Sequence, residues 1–239
     1  MDILKMLRTV SHSFDSMFSI TRSSIVSEYS GFVQSLSLKD STVLDTGTGN
    51  ELHYSADDKH SLIMTDFDFR SLQDNDYRAY RIVSDISSIP LKNSTVDCCT
   101  SCFVMEHLSH PEKVIDEINR VTKRGGITVI LFASRNALFS LLARILPAKV
   151  KDFLLLVLRD NQHKHGYRTY YRYCDMSQMS SLLEKKGFNV KYRSANYFSA
   201  PYYDFFPPMY FLMLIIESLL DMTGLSKFAS YVLIIAEKD

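Results

Sequence analysis

The sequence predicts a doubly wound α/β fold with a mostly parallel sheet, and three observations favour this class. Short apolar runs that end in an acidic residue recur through the first half of the chain. A glycine turn follows the first of these runs, and amphipathic helical patterns lie between later ones. Because strands that alternate with helices are typical of parallel sheets, the 239 residues are expected to form one α/β domain with additions.

The glycine turn comes directly after the first predicted strand. That strand ends at Asp45, and Gly47 and Gly49 follow at alternate positions. Residues compatible with a helix begin at Glu51. A strand, a tight glycine turn and a helix start in this order commonly bind a nucleotide-like ligand through backbone N–H groups. A helix is therefore expected from Glu51 onward.

Two further strands also end in acids. Asp66 follows the run at 61–65, and a carboxylate at the end of a second strand suits the two hydroxyl groups of a ribose. A helix cap or loop role is the alternative for Asp66, and Asp68 is close enough to be a rival ribose ligand. Asp85 and the apolar Ile86 after the third strand suit an adenine ring, with a simple turn residue as the alternative.

The fourth and fifth strands complete the predicted parallel sheet. The almost uncharged run 96–104 is typical of a strand buried on both faces. Ser109 and Glu112 have the spacing of a capping box, which predicts the start of an amphipathic helix. The glycines at 125 and 126 are expected to stop that helix before the fifth strand. Two later strands, near 188–192 and 231–236, are expected to close the sheet as an antiparallel pair.

Charge and cysteine content limit the classes of partner and ligand. The 27 basic and 27 acidic residues balance, so no nucleic acid is expected as a partner. Cys99 and Cys102 form a C-x-x-C pair, but no second pair or nearby histidine cluster completes a metal site. Buried, reduced thiols and no metal are expected, which indicates a cytoplasmic protein, as does an N-terminus without a signal-peptide run.

The expected organisation is a single domain over residues 1–239. Residues 1–38 are a helical lead, and insertions at 136–175 and 197–228 form a cap on the acceptor side. The apolar insertions suit a lipid-linked acceptor and peripheral contact with a membrane surface. A lid core or a homodimer interface is the alternative, and neither insertion is long enough to span a bilayer.

In their order and spacing, these segments resemble the class I S-adenosylmethionine-dependent methyltransferases, in particular the broad group called type 11. The D-x-G-x-G motif of that family matches residues 45–49, and its D-x-x-x-L-P segment is similar to residues 85–91. Its E-H-L step matches Glu106-His107-Leu108, and its later G-F step matches Gly187-Phe188. The resemblance covers residues 40–134 closely and 163–192 loosely.

The resemblance implies a Rossmann-like sheet of seven strands with S-adenosyl-L-methionine as cofactor. It implies that the methionine end of the cofactor contacts Asp45, Thr46, Gly47 and Gly49. It implies Asp66 and Phe67 at the ribose, Asp85 and Ile86 at the adenine, and Ser101 and Cys102 near the sulfonium. Glu51 departs from the family, which often has a glycine there. An acid in the first turn of a helix, pointing outward, would suit the helix dipole.

The chemistry expected from the resemblance is methyl transfer to a small-molecule or lipid- or glycan-linked acceptor, most simply at oxygen. A hydroxyl acceptor benefits from a general base, for which His107 and His165 are candidates; local packing is the alternative for His107 and a surface position for His165. Candidates for an acceptor pocket are Tyr167, Tyr170, Tyr171 and Arg172, with plain packing as the alternative. The rival hypothesis is a non-catalytic subunit that binds a partner protein through the apolar insertions.

Overall fold

The computed structural model describes residues 3–17, 24–36, 40–55, 61–73, 77–145, 167–199 and 203–239. Within them lies a sheet of seven strands in the order β3-β2-β1-β4-β5-β7-β6. The strands are β1 (Thr42–Thr46), β2 (Ser61–Asp66), β3 (Tyr80–Val83), β4 (Val96–Cys102), β5 (Thr122–Ala133), β6 (Phe188–Asn196) and β7 (Tyr231–Lys238). The helices are α1 (Ile3–Ser13), α2 (Ile25–Ser35), α3 (Phe69–Gln73), α4 (Pro111–Val121), α5 (Leu138–Ile145), α6 (Met176–Lys185) and α7 (Pro207–Thr223).

The first five strands of the sheet are parallel. β1 pairs with β2 on one side and with β4 on the other, β2 pairs with β3, and β4 pairs with β5. The C-terminal strands are antiparallel, which confirms the predicted mixed sheet. Because the chain leaves β1 toward β2 and later returns to its other side at β4, the carboxyl ends of β1 and β4 form a topological switch point. In open α/β sheets, ligands bind at such a point.

The central strands are buried on both faces, as their apolar sequences predict. Val43 and Leu44 of β1 and Cys98 and Cys99 of β4 are fully inaccessible to solvent. All four cysteines carry free thiols. Since residues three apart in a strand point to opposite faces, Cys99 and Cys102 do not share a ligand. Within the described ranges, no three His, Cys, Asp or Glu residues are grouped so that they could hold a metal ion.

The ends of α4 differ from the prediction. The helix begins at Pro111 with His110 as its N-cap, so the capping box at Ser109 was wrong by one residue. Proline is well suited to the first helical position, and this sets the start. The helix ends at Val121, and the predicted stop at glycines 125 and 126 was wrong because both lie inside β5.

Gly126 has a different role from the predicted helix stop. A Cβ atom at this position would lie 3.0 Å from the carbonyl oxygen of Asp97 and 2.8 Å from that of Lys123. The β4–β5 pairing shifts register between Val96 and Cys98, so the glycine allows close backbone approach at a bulge.

The two ends of α6 are set by residues in or next to the helix. The Asp175 side chain accepts hydrogen bonds from the N–H groups of Ser177 at 3.0 Å and Gln178 at 3.2 Å. Gly187, with φ of +84°, follows the last turn in the left-handed conformation that ends many helices.

The chain divides into two compact units. The larger comprises Ser24–Ala133, Thr169–Ser194 and Val232–Asp239; the smaller comprises Met1–Ser23, Ser134–Arg168 and Ala195–Tyr231. In the smaller unit, α1 packs against α7, and the Ser11 hydroxyl donates to the main-chain oxygen of Asp204 at 2.6 Å. None of the described helices combines the length and the apolar character needed to cross a membrane. The expected cap from the two insertions stays a prediction.

Candidate functional site

The glycine turn is fastened to the neighbouring strand by its own backbone. The N–H groups of Gly47 and Thr48 both donate to the main-chain oxygen of Thr65 in β2, at 2.7 and 3.2 Å. Gly47 and Gly49 have φ angles of +67° and +59°, which favour glycine. The turn predicted from the sequence is therefore present at the carboxyl end of β1.

The helix expected from Glu51 is absent from residues 50–55, which follow an irregular course. Leu52 and Tyr54 are buried, and the Tyr54 hydroxyl lies 3.3 Å from the hydroxyl of Thr100 in β4. Burial of these two side chains overrides the local helix preference. Glu51 is exposed and lies outside any helix, so the proposed compensation by a helix dipole was wrong.

Substitution of the two turn glycines is expected to have unequal effects. Alanine at Gly47 would place a Cβ atom 2.5 Å from a methyl group of Val104, whereas alanine at Gly49 would meet nothing within 4 Å. The positive φ costs about 1 to 2 kcal/mol at either position, and overpacking at Gly47 adds about 1 to 3 kcal/mol. Urea unfolding should thus show a larger loss for Gly47→Ala than for Gly49→Ala. Equal losses would contradict the close contact with Val104.

Asp66 joins the end of β2 to the glycine turn. One carboxylate oxygen accepts the N–H of Gly49 at 2.9 Å, and the other accepts the N–H of Asp68 at 2.9 Å. Each oxygen of an ionised carboxylate has two acceptor sites, so both retain capacity for a ligand hydroxyl. The next residue, Phe67, is exposed.

Asp68 has a different environment from Asp66. Its carboxylate accepts the N–H of Arg70 at 3.0 Å and the hydroxyl of Ser71 at 2.9 Å, as an N-cap of α3 does. These contacts favour a capping role over the rival role in ribose binding.

Asp85 and Ile86 follow β3. Ile86 is buried, whereas Asp85 is exposed and accepts the N–H of Ser87 at 2.8 Å through one carboxylate oxygen. This bond forms a turn, which was the alternative interpretation of Asp85.

Asp45 is a buried carboxylate at the end of β1, 5% exposed. The Thr100 hydroxyl donates to its Oδ2 at 2.6 Å. Desolvation raises the pKa of Asp45 from 3.8 to about 6; hydrogen bonds from the Thr100 and Thr48 side chains oppose this, and the nearby Asp66 carboxylate adds to it. Tyr29 of α2 and Tyr54 are buried nearby, and burial raises the pKa of both phenols well above 10.

The end of β4 supplies the next group of site residues. Ser101 is buried, and its hydroxyl has no hydrogen-bond partner among the residues that the structure describes. Cys102 is partly buried, and desolvation raises the pKa of its thiol above the ordinary value. Phe103 has a positive φ of +56°, and its ring meets that of His53 edge-on at 6.1 Å.

A short 3₁₀ helix, Met105–His107, brings His107 to the carboxyl end of β4. Glu106 beside it is 4% exposed, and its Oε2 has no partner in the described part of the chain. Desolvation raises the pKa of Glu106 to about 7, while hydrogen bonds from its own N–H and that of Ala133 oppose the shift. The main-chain oxygen of Glu106 accepts the N–H groups of Tyr170 and Tyr171, so the structure brings these predicted pocket residues beside His107. His165 lies outside the described residues.

Sequence reasoning missed several groups at this site. Thr100 was treated only as part of a buried strand, although a polar residue in an apolar strand is itself a signal of function. Glu106 was treated only as part of a family motif. Tyr29 and Tyr54 gave no such signal, because the sequence does not show which aromatic side chains pack over Asp45.

The arrangement is typical of doubly wound α/β proteins that bind nucleotide-like ligands. Its glycine turn and strand-end carboxylates lie at the switch point of the sheet. Comparison with known proteins narrows this class. Residues 44–130 match the model of a family described as a methyltransferase domain.

Named relatives and solved structures agree with this match. A demethylmenaquinone methyltransferase from Protochlamydia amoebophila is 25% identical over 114 residues, which are 45% of this chain and 46% of that protein. A mitochondrial 2-methoxy-6-polyprenyl-1,4-benzoquinol methylase from Caenorhabditis elegans is 25% identical over 124 residues, which are 50% of this chain and 44% of the relative. The chain therefore spans about half the length of these curated relatives.

The fold likeness extends further than the sequence likeness. A crystal structure of an S-adenosylmethionine-dependent methyltransferase from Thermotoga maritima superimposes with a TM-score of 0.59 at 15% identity, over 100% of both chains. Residues 44–130 thus resemble a methyltransferase domain, and the fold is that of S-adenosylmethionine-dependent methyltransferases.

Proposed function

We propose that this chain transfers the methyl group of S-adenosylmethionine to a small-molecule acceptor, most simply at an oxygen atom. The observation that carries the proposal is the pair of buried carboxylates, Asp45 and Asp66, beside the glycine turn at the switch point of the sheet. Both are less than one-tenth exposed, and the turn between them is held by backbone hydrogen bonds.

The chemistry of these side chains fits the cofactor. Asp45 is a buried carboxylate whose ionised form a ligand ammonium group would stabilise, and Asp66 has free acceptor capacity for two ribose hydroxyl groups. The buried Ser101 hydroxyl, without a described partner, offers a further polar contact. The proposed contacts thus comprise Asp45, Thr46, Gly47 and Gly49 at the methionine end; Asp66 and Phe67 at the ribose; Asp85 and Ile86 at the adenine; and Ser101 and Cys102 near the sulfonium.

The protein would contribute mainly alignment. When bound, the cofactor supplies an activated methyl group for an in-line displacement, so the chain needs to bind, orient and exclude water. His107, at the end of the 3₁₀ helix that follows β4, is the proposed general base for an acceptor hydroxyl. The Tyr170–Tyr171 segment, hydrogen-bonded to Glu106, is the proposed wall of the acceptor pocket.

The acceptor class is proposed from the relatives and from the smaller unit. The names of two relatives denote methylation of quinone-type rings, one of them polyprenylated. Leu212, Leu219 and Met222 of α7 are at least half exposed, which supports an apolar acceptor. We extend this to a lipid-linked acceptor met at a membrane surface, with a homodimer as the other use of the apolar face.

Calorimetry with S-adenosylmethionine, followed by transfer of a labelled methyl group, tests the proposal. We expect cofactor binding and labelled product with a panel of prenylated and unprenylated hydroquinones. Absence of binding at millimolar cofactor would overturn the proposal. Binding without transfer to any acceptor of the panel, together with a stable complex with a second protein, would favour the non-catalytic subunit.

A further inference from the structure

Thr100 lies in the buried centre of β4 and links three parts of the site. Its Oγ1 is 2.6 Å from Oδ2 of Asp45 and 3.3 Å from both the Tyr54 hydroxyl and the main-chain oxygen of Leu44. A hydroxyl has a single hydrogen to donate, and a distance of 2.6 Å is typical of an O–H that donates to a carboxylate. The hydroxyl of Thr100 therefore donates to Asp45 and is left to accept from Tyr54.

We infer that Thr100 is a positioning residue for cofactor binding, which holds the Asp45 carboxylate ionised and oriented toward the ammonium group of the cofactor. This inference rests on the proposed function. Thr100 does not touch the cofactor in this scheme; it acts through Asp45, and Tyr54 supports it from the other side.

The surroundings of Asp45 make such a donor necessary. The described titratable groups that face it come from β2, β4, α2 and the 50–55 segment, and each is neutral or negative: Asp66, Cys98, Cys99, Cys102, Tyr29 and Tyr54. None of these groups carries a positive charge. Within the described residues, the groups that favour the ionised form of Asp45 are the Thr100 hydroxyl and, more weakly, the Thr48 hydroxyl, which also lies 3.2 Å from the main-chain oxygen of Asp45.

A pH dependence distinguishes this role from simple packing. If the ammonium binds only ionised Asp45, cofactor affinity is constant above the pKa of about 6 and falls tenfold per pH unit below it. Loss of a hydrogen bond to the ionised form raises that pKa, by about one unit for a charge-assisted bond. Thr100→Val would therefore bind the cofactor about fivefold more weakly at pH 6, and the difference would close above pH 8.

The experiment is calorimetry of the wild type and the variants from pH 5.5 to 8.5 with two probes. S-adenosylhomocysteine has the same amino-acid end as S-adenosylmethionine, and 5′-methylthioadenosine lacks that end. Thr100→Ser keeps the hydroxyl and should restore the wild-type midpoint. Thr128→Val is the matched control, because Thr128 is equally buried in β5 and its hydroxyl has no partner in the described ranges. Tyr54→Phe removes the supporting hydroxyl and should shift the midpoint in the same direction by less.

The expected result is a shift of the binding midpoint in Thr100→Val with S-adenosylhomocysteine and none with 5′-methylthioadenosine. Equal weakening at every pH, or the same loss with both probes, would overturn the positioning role. If Thr100→Val does not fold, an unshifted midpoint in Tyr54→Phe would overturn it. Failure of the wild type to bind either probe would instead contradict the proposed function.

Discussion

Asp45→Asn will make the protein more stable at pH 8 and weaken its binding of S-adenosylmethionine. Burial raises the pKa of Asp45 from 3.8 to about 6, so the folded state pays for its ionised form at neutral pH. A shift of about two units corresponds to about 3 kcal/mol. The amide group of asparagine lacks a second partner, which costs about 1 to 2 kcal/mol. The net gain in the free energy of unfolding is expected to be about 1 to 2 kcal/mol.

The sign of this effect depends on pH. Because the folded pKa lies above the unfolded one, the wild type gains stability as the pH falls from 6 toward 3.8. The advantage of the variant is therefore present above pH 6 and disappears near pH 5. Urea unfolding of both proteins at pH 8 and pH 4.5 measures the difference in the free energy of unfolding. The buried Glu106 is present in both proteins, so its own pH dependence does not change this difference.

Loss of cofactor binding accompanies this gain. Removal of the negative charge that, by the proposed function, faces the ammonium group should cost about 2 kcal/mol, which is about thirtyfold in affinity at pH 8. Calorimetry at pH 8 measures it. A variant that is more stable yet binds the cofactor as tightly as the wild type would contradict the proposed role of Asp45.

Asp66→Asn is expected to abolish most cofactor binding, with a loss of about one hundredfold or more. The carboxylate accepts two backbone N–H groups, and an asparagine amide would direct its NH₂ group at one of them. The variant also loses the charged acceptor proposed for the ribose hydroxyl groups, each bond to which would contribute about 1.5 kcal/mol or more. The free energy of unfolding should fall by about 1 to 2 kcal/mol.

Asp68→Asn is the matched control for this substitution. It lies two residues away, and asparagine is as good a helix N-cap as aspartate. Stability and cofactor affinity should both remain near the wild-type values. A larger loss of affinity in Asp68→Asn than in Asp66→Asn would reverse the assignment of the ribose ligand.

The positions of the central strands and the turn after β1 could be predicted from the sequence because buried strands leave a strong apolar signal. The runs at 43–45, 61–66 and 96–102 all became central strands of the sheet. The cap at Asp175 and the stop at Gly187 were also predictable, because each acts through its own local backbone.

The failed predictions concern places where distant contacts override local preference. Tyr54 anchors its segment to β4 through Thr100, and the expected helix at Glu51 does not form. Gly126 allows close backbone approach at a bulge between β4 and β5. This role depends on the pairing of the two strands and leaves no local signal in the sequence. The raised pKa values of Asp45 and Glu106 depend on complete burial, which a linear pattern of residues does not specify.

The irregular course of residues 50–55 has a consequence for ligand binding. A helix start behind a glycine turn retains an anionic ligand group through several N–H groups, and these residues provide no such helix start. By the proposed function, the methyl donor and its demethylated product share the same amino-acid end, so residues 50–55 would hold neither of them through a helix N-terminus.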